Sequence, residues 1–392
     1  PKGLVCRGLR GQMPNLDLTG AQVLRPSGLR QETFSFADGT ITDATVGRAV
    51  DLQGFLILPG IIDLHGDAFE RHLAPRRGAM KQMNEGLIAT EAELASNGIT
   101  TAVLAQFVSW EGGLRGLEFA DQVFCALRDT TPTLVTDMRA QLRFETHQLD
   151  LYAGLPARLK AWDVSYLVFN DHLPHDRLAA GKMPKRMVGQ ALKAGRNPEA
   201  HLAMMHELSA RSGEVPAALD GLCTTLKAAG IRMGSHDDQT AETRDGWRKR
   251  GVTIAEFPET HTAAEAAHEA GDHVVMGAPN VVRGGSHNGN LSALDLISMG
   301  LCNALASDYH YPSPRRAALM LADAGVLDLA GAWRLISGGP AAVLGLDDRG
   351  ELRHGLRADF VVLDAQTKRV AASFVQGRPS YMAGDIAERF LR

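Results

Sequence analysis

Eight short apolar runs, rich in β-branched residues and separated by helical stretches, constrain this chain more than any other feature. They are Ile61–Leu64, Gly98–Phe107, Asp137–Glu145, Val164–Asn170, Gly230–Ser235, Gly251–Phe257, His273–Ala278 and Cys302–Ser307. Several follow a helix-stop glycine, as at Asn97-Gly98 and Ala229-Gly230. Strands alternating with helices imply parallel βαβ units. Eight such units predict an α/β fold closed as a (β/α)8 TIM-like barrel rather than an open doubly wound sheet. No G-x-G-x-x-G follows the first run, which weakens a dinucleotide-binding reading.

The chain has 392 residues, more than the ~250 of a bare barrel, so a smaller appended domain is expected. Its two ends, about residues 17–58 and 350–390, are strand-like and turn-rich without helical repeats. They are expected to pair into one small β-sandwich, giving segments 1–58, 59–349 (barrel) and 350–392. The first sixteen residues carry no pattern. A net charge of −4 gives no global pull toward nucleic acid or an anionic membrane, so a small-molecule partner is expected. A homo-oligomer is compatible with the sequence. Cys6, Cys125, Cys223 and Cys302 are scattered, with no C-x-x-C pair, as suits a reducing cytosol. Pro1–Arg7 lacks a signal-like apolar core, and no apolar run approaches the ~20 residues of a membrane span. A cytoplasmic protein is expected.

The most informative residues are His65-Gly66-Asp67, directly after the first barrel strand. Ligand-type side chains at i and i+2 on extended backbone share a face, and the glycine between them permits close backbone approach. H-x-D alone is common by chance. Its position matters more, because other ligand types end later strand candidates: Glu145, His172, His236 and Asp308. The C-terminal face of a barrel is where catalytic groups gather. Imidazole and carboxylate donors suit one or two divalent ions, zinc first, with Mn, Fe or Ni also compatible, and Glu145 is placed to bridge two. His147 and His175 lie close enough in sequence to replace Glu145 or His172. His201, His206, His261 and His268 fall on helices and read as solvated or structural.

Leu58-Pro59-Gly60-Ile61-Ile62-Asp63-Leu64-His65 resembles the strand-1 signature of the amidohydrolase superfamily. Gly338-Gly339-Pro340-Ala341-Ala342-Val343-Leu344-Gly345-Leu346, followed by Gly350, Gly355 and Ala358-Asp359, is similar to its closing signature. The resemblance runs from about Gly20 to Asp364. It implies a barrel-plus-sandwich fold and a mono- or dinuclear site, with Asp308 as ligand and general base toward the attacking water. Two departures leave metal count and identity open: Asp67 stands where a second histidine is usual, and Glu145 where many members carry a carboxylated lysine.

The longer run from His65 to Arg77 resembles one branch, the ribose 1-methylphosphonate 5-triphosphate diphosphatases of the carbon–phosphorus lyase pathway. So do Gly234–Asp238, Glu256–Thr260, Gly277–Asn280 through Gly289-Asn290, and Ser307-Asp308-Tyr309. Each is weak alone; together they are specific. Two independent features suit a polyphosphate. Residues 176–200 carry Arg177, Lys182, Lys185, Arg186, Lys193 and Arg196 against Asp176 and Glu199. A basic lid over the catalytic face would neutralise phosphates; the alternative is a solvated helix with Met187, Ala191 and Leu192 as its buried stripe. The loop Arg283–Asn290, with Ser286, His287 and Asn288, follows strand 7, where barrels often cradle phosphate; a plain surface loop is the alternative. Glu70, His72 and Arg76 follow strand 1 and are candidate substrate contacts.

The reading these features favour is a metal-dependent diphosphatase that cleaves a sugar 5-triphosphate to the 5-phosphate and pyrophosphate. Cyclic-amide hydrolysis or nucleobase deamination would keep the fold but leave the basic insertion without a use. A catalytically dead scaffold predicts eroded ligands, whereas His65, Asp67, His236 and Asp308 are all in place.

Overall fold

The computed structural model describes residues 14–74, 82–284 and 291–392. Eight parallel strands form one sheet in sequential spatial order: Ile61–Gly66, Ile99–Val108, Asp137–Glu145, Tyr166–Asn170, Arg232–His236, Ile254–Glu256, His273–Gly277 and Ala304–Ala306. All eight expected strands form, with their ends displaced by up to three residues: the first runs on to Gly66, and the sixth begins at Ile254 rather than Gly251. Barrel strands 1 and 8 meet through a parallel bridge between Gly66 and Asp308. There the Asp308 N–H donates to the His65 carbonyl at 2.9 Å, and the Asp67 N–H donates to the Asp308 carbonyl at 2.9 Å.

Alternation along the strands gives the barrel two cores. Ile62, Leu64, Val103, Val168, Ile254 and Val275 meet inside it, while Ile61, Leu104, Leu142 and Leu167 pack outward against the helices. Ala341, Val343 and Leu344 of helix Gly338–Leu344 join the inner core. That helix sits so close that a Cβ on Gly339 would lie 2.1 Å from the Asn303 carbonyl oxygen. The closing glycine pair is therefore a spatial requirement.

The ends of the chain form separate sheets, as expected. One has the spatial order Arg378–Met382, Val370–Val375, Phe360–Asp364, Phe55–Pro59, Gln22–Arg25, Gly28–Gln31; the other is Thr40–Thr42, Phe34–Ala37, Leu16–Thr19, Ala49–Asp51. Phe34, Phe36, Phe360 and Phe374 fill the space between them, with Phe360 and Phe374 stacked at 4.5 Å.

The insertion after barrel strand 4 folds as helices His175–Ala179, Met187–Lys193 and Pro198–Ala210. Its own small core joins Leu178, Met187 and Met205 to Trp110, beyond strand 2. Met187 and Ala191 are buried as the amphipathic alternative expects, but Leu192 is 67% exposed, a correction to that stripe. Arg196 turns inward to the Trp110 carbonyl at 2.5 Å, which removes it from the solvent-facing charges. Among the described residues no helix is long and apolar enough to cross a membrane.

Candidate metal centre and its anion-facing cavity

The barrel closure assembles the site. Asp63, fully buried in strand 1, accepts hydrogen bonds from the Ser307 N–H at 2.8 Å and the Ser307 hydroxyl at 2.5 Å. This locks the ends of strands 1 and 8 together and sets His65, Asp67 and Asp308 beside one another. A Cβ on Gly66 would lie 2.6 Å from Asp63 Oδ2 and 2.9 Å from Ser307 Oγ, so the close approach read from the sequence is enforced here. The pairing of strands 1 and 2 also shifts register between Asp63 and Gly66, an irregularity of the kind that re-aims side chains at barrel rims.

His65 is fully buried, and its Nδ1 lies 2.7 Å from Glu256 Oε2. Glu256 Oε1 accepts from Gln141 Nε2 at 2.8 Å and from the Tyr166 hydroxyl at 2.5 Å. Burial opposes charge on either partner, yet the field of each raises the His65 pKa and lowers that of Glu256. With Nδ1–H committed to Glu256, Nε2 keeps its lone pair, and among the described residues this buried atom has no hydrogen-bond partner. A carboxylate that fixes the tautomer of a histidine whose other nitrogen is free is the usual support of a metal ligand.

His236, at the end of strand 5, faces the same space, with ring centroids 5.7 Å apart. His65, His236 and Glu256 offer donor atoms within 4.8 Å of one another. The donor set suits a divalent transition ion, so the residues fit such a group. Phe257 lies edge-on to both imidazoles, at 5.2 Å from His65 and 5.0 Å from His236. Asp237, Phe257 and Asp308 all adopt left-handed backbone, with φ of 61°, 52° and 55°. Such conformations cluster where a site over-determines the backbone.

Asp308 is raised to about 6, by burial first and by neighbouring Asp67 second. Glu70 is raised to about 7 for the same two reasons in the same order. Glu145 and His172 bond to each other: the His172 N–H donates to Glu145 Oε2 at 3.1 Å, and His172 Nδ1 makes a short contact to Oε1. Of the expected six donors, His65 and His236 fall in one cluster within 4.8 Å, with Glu256; Asp67 and Asp308 lie at the closure but outside that cluster, and Glu145 and His172 pair beside it.

Above His172 lies a cavity of about 1020 Å³ lined by Glu70, Glu111, Arg115, Lys185, Arg186 and Lys193 among others. Lys185 and Arg186 of the basic insertion therefore face the same space as the strand-4 histidine. Lys182 is exposed and not among the lining residues. His72 spends Nε2 on Glu93 at 2.6 Å and does not line the cavity. Arg283 donates to the Tyr309 hydroxyl at 2.7 Å, next to Asp308. Arg76, Ser286, His287 and Asn288 lie outside the described residues.

Two residues at the site were not among the expected site residues, although Glu256 opens one of the segments that carry the resemblance. Glu256 ends strand 6 as the other candidates end theirs, and that position was its signal. Arg143 stands two residues before Glu145 in a buried strand, which gives it the same face. It is 6% exposed, stacks over Phe107 at 4.0 Å and places one terminal nitrogen 3.0 Å from His236 Nε2. Arg115 lies over the same Phe107 ring at 4.2 Å. Among the described residues, no carboxylate forms an ion pair with Arg143, and its Nε has no partner. Burial lowers the Arg143 pKa, opposed by the fields of Asp67, Glu256 and Asp237.

No family model matches the chain. A curated relative, the alpha-D-ribose 1-methylphosphonate 5-triphosphate diphosphatase of Escherichia coli (strain K12), is 34% identical over 346 residues, covering 84% of this chain and 88% of that protein. Among solved structures, an amidohydrolase superposes with a TM-score of 0.64 at 14% identity, covering 95% of this chain and 100% of its own. D-aminoacylase, described as having a binuclear metal centre, gives 0.61 at 14% identity over 95% and 99%. At that identity the structures speak for the fold alone. The chain has the barrel-and-sandwich fold of the amidohydrolases and, as a hydrolase, belongs to the alpha-D-ribose 1-methylphosphonate 5-triphosphate diphosphatase family.

Proposed function

We propose that the protein hydrolyses a ribose 5-triphosphate bearing a 1-methylphosphonate substituent, giving the 5-phosphate and pyrophosphate in phosphonate catabolism. The observation that carries this reading is the cavity lined by His172, where Arg115, Lys185, Arg186 and Lys193 converge beside buried Arg143. A neutral amide or nucleobase has no use for such a concentration of positive charge, whereas a triphosphate needs it.

His65, Asp67, His236 and Asp308 would hold a divalent ion, with Glu145 and His172 completing or bridging the site. When bound, the ion lowers the pKa of water toward ~7 and stabilises charge on phosphoryl oxygens. Asp308 takes the proton from the attacking water. Arg143 and Arg115 offset charge on the transferring phosphoryl group, while Lys185 and Arg186 hold the leaving pyrophosphate. Water adds across the phosphoanhydride, its oxygen bonding to phosphorus as the bridging P–O bond breaks toward pyrophosphate. We place this chemistry in the cytoplasm, consistent with free Cys125, Cys223 and Cys302.

The test pairs metal analysis of the purified protein with a screen of nucleoside and sugar triphosphates for pyrophosphate release. The reading expects chelator-sensitive release of pyrophosphate from the methylphosphonate sugar. Release of orthophosphate alone, or activity confined to amides, would overturn it.

A further inference from the structure

We propose that His147, Asp171 and His175 form a second divalent-metal site, separate from the His65–His236 centre, which clamps the loop after barrel strand 3 to the insertion after strand 4. His147 lies two residues past the end of strand 3 and is 5% exposed. Asp171 follows strand 4 directly, and His175 opens the first helix of the basic insertion. One donor atom from each lies within 4.8 Å of the others.

The distances suit a shared ion. His147 Nδ1 is 3.4 Å from Asp171 Oδ1, and His175 Nε2 is 3.0 Å from Asp171 Oδ2. Ligand bonds of ~2.0–2.2 Å in a tetrahedral shell put neighbouring donors roughly 3.3–3.5 Å apart. The donors already stand close to that spacing.

The surroundings of His147 add to this. Its Nε2 lies 3.2 Å from Ser212 Oγ, while Nδ1 has Asp171 Oδ1 and Thr146 Oγ1 as neighbours, each at 3.4 Å. Nδ1 is thus the nitrogen turned to the carboxylate, and an ion there would take the place of the proton between them. A hydrogen-bonding partner on the other ring nitrogen is the outer-shell support that holds metal-binding imidazoles in place.

Two imidazoles and one carboxylate favour Zn²⁺, Co²⁺ or Ni²⁺ over Mg²⁺ or Ca²⁺. The Asp171 and His175 side chains are 43% and 41% exposed, so an ion enters from solvent, and water completes the shell. Neighbouring Glu145 and His172 bond to each other, and His172 lines the substrate cavity, whereas none of the three clamp residues does. Because His175 begins the segment that carries Lys185 and Arg186, occupancy fixes the root of the basic lid.

Zn²⁺ stoichiometry and affinity, measured by calorimetry and elemental analysis on the whole protein, test the proposal. Asp171→Asn and His175→Ala each alter a half-exposed side chain, and circular dichroism checks their folding. Either change should remove one Zn²⁺ equivalent or weaken it tenfold or more. His65→Ala should retain that equivalent while losing another. Zn²⁺ should also slow tryptic cleavage between Lys182 and Arg186 in wild type and not in His175→Ala. Equal stoichiometry and affinity in wild type and both clamp variants would overturn the site and leave a proton between His147 and Asp171. The barrel-centre reading would stand untouched, since His65→Ala reports on it separately.

Discussion

His65 and Glu256 come from barrel strands 1 and 6, 191 residues apart in sequence, and join through a fully buried 2.7 Å hydrogen bond. That bond decides which nitrogen of His65 is free, and so which way the first candidate ligand can act. Removing the charge while keeping the shape isolates this role. Glu256→Gln should weaken metal binding about 10–100-fold, the usual cost of losing such support, with far-UV circular dichroism unchanged. Metal affinity equal to wild type would reduce Glu256 to packing.

Asp308→Asn should abolish turnover in a protein that remains folded. The amide cannot take a proton from water, and one anionic donor is lost, while the near-isosteric change spares the packing around the closure. Steady-state kinetics on metal-loaded protein provide the check. Retention of most of the wild-type turnover would remove the general-base role.

Lys185→Ala with Arg186→Ala should raise KM for a triphosphate and barely shift the melting temperature, because surface charges typically contribute only ~0–1 kcal/mol. The rise should be larger at low salt than at high salt, since screening erodes the wild-type advantage. Lys182→Ala, outside the cavity lining, should have a smaller effect. Equal losses on a triphosphate and on an uncharged ester would mark the segment as a solvated helix face.

Ser307→Ala removes the hydroxyl donor from buried Asp63 and leaves it the Ser307 N–H. A buried carboxylate deprived of one such partner should cost about 1–3 kcal/mol, read as a lower urea midpoint at unchanged slope. An unchanged midpoint would show that strands 1 and 8 are held without this lock.

The barrel was legible because the rhythm of buried strands survives in any window of the sequence. Ile61–Leu64 and Asp137–Glu145 could be read from side-chain type alone. The placement of the strand-end candidates was legible for the same reason, since a parallel barrel collects the ends of all eight strands on one face. What could not be read was partnership. Nothing local says that Glu145 meets His172, that His72 turns to Glu93, or that Arg143 stacks on Phe107 beside His236. Those facts depend on which rotamers the closed barrel permits. Leu192 shows the other limit: helical periodicity placed it on the buried stripe, but the insertion buries Met187 and Ala191 and leaves that edge in water.

The left-handed backbone at Phe257 sets the rim of the mouth against the base of the barrel. A bulky residue held at φ 52° costs of order 1–3 kcal/mol, whereas the closely fitted Gly339 at the opposite end relieves crowding. Phe257→Gly would relax the backbone while removing a ring that packs edge-on against both His65 and His236 and onto the inner core. Loss of that packing outweighs the relieved strain, so the strain at the rim is not a reserve from which stability can be recovered, and efforts to stabilise this hydrolase belong at the closing helix and the sandwich.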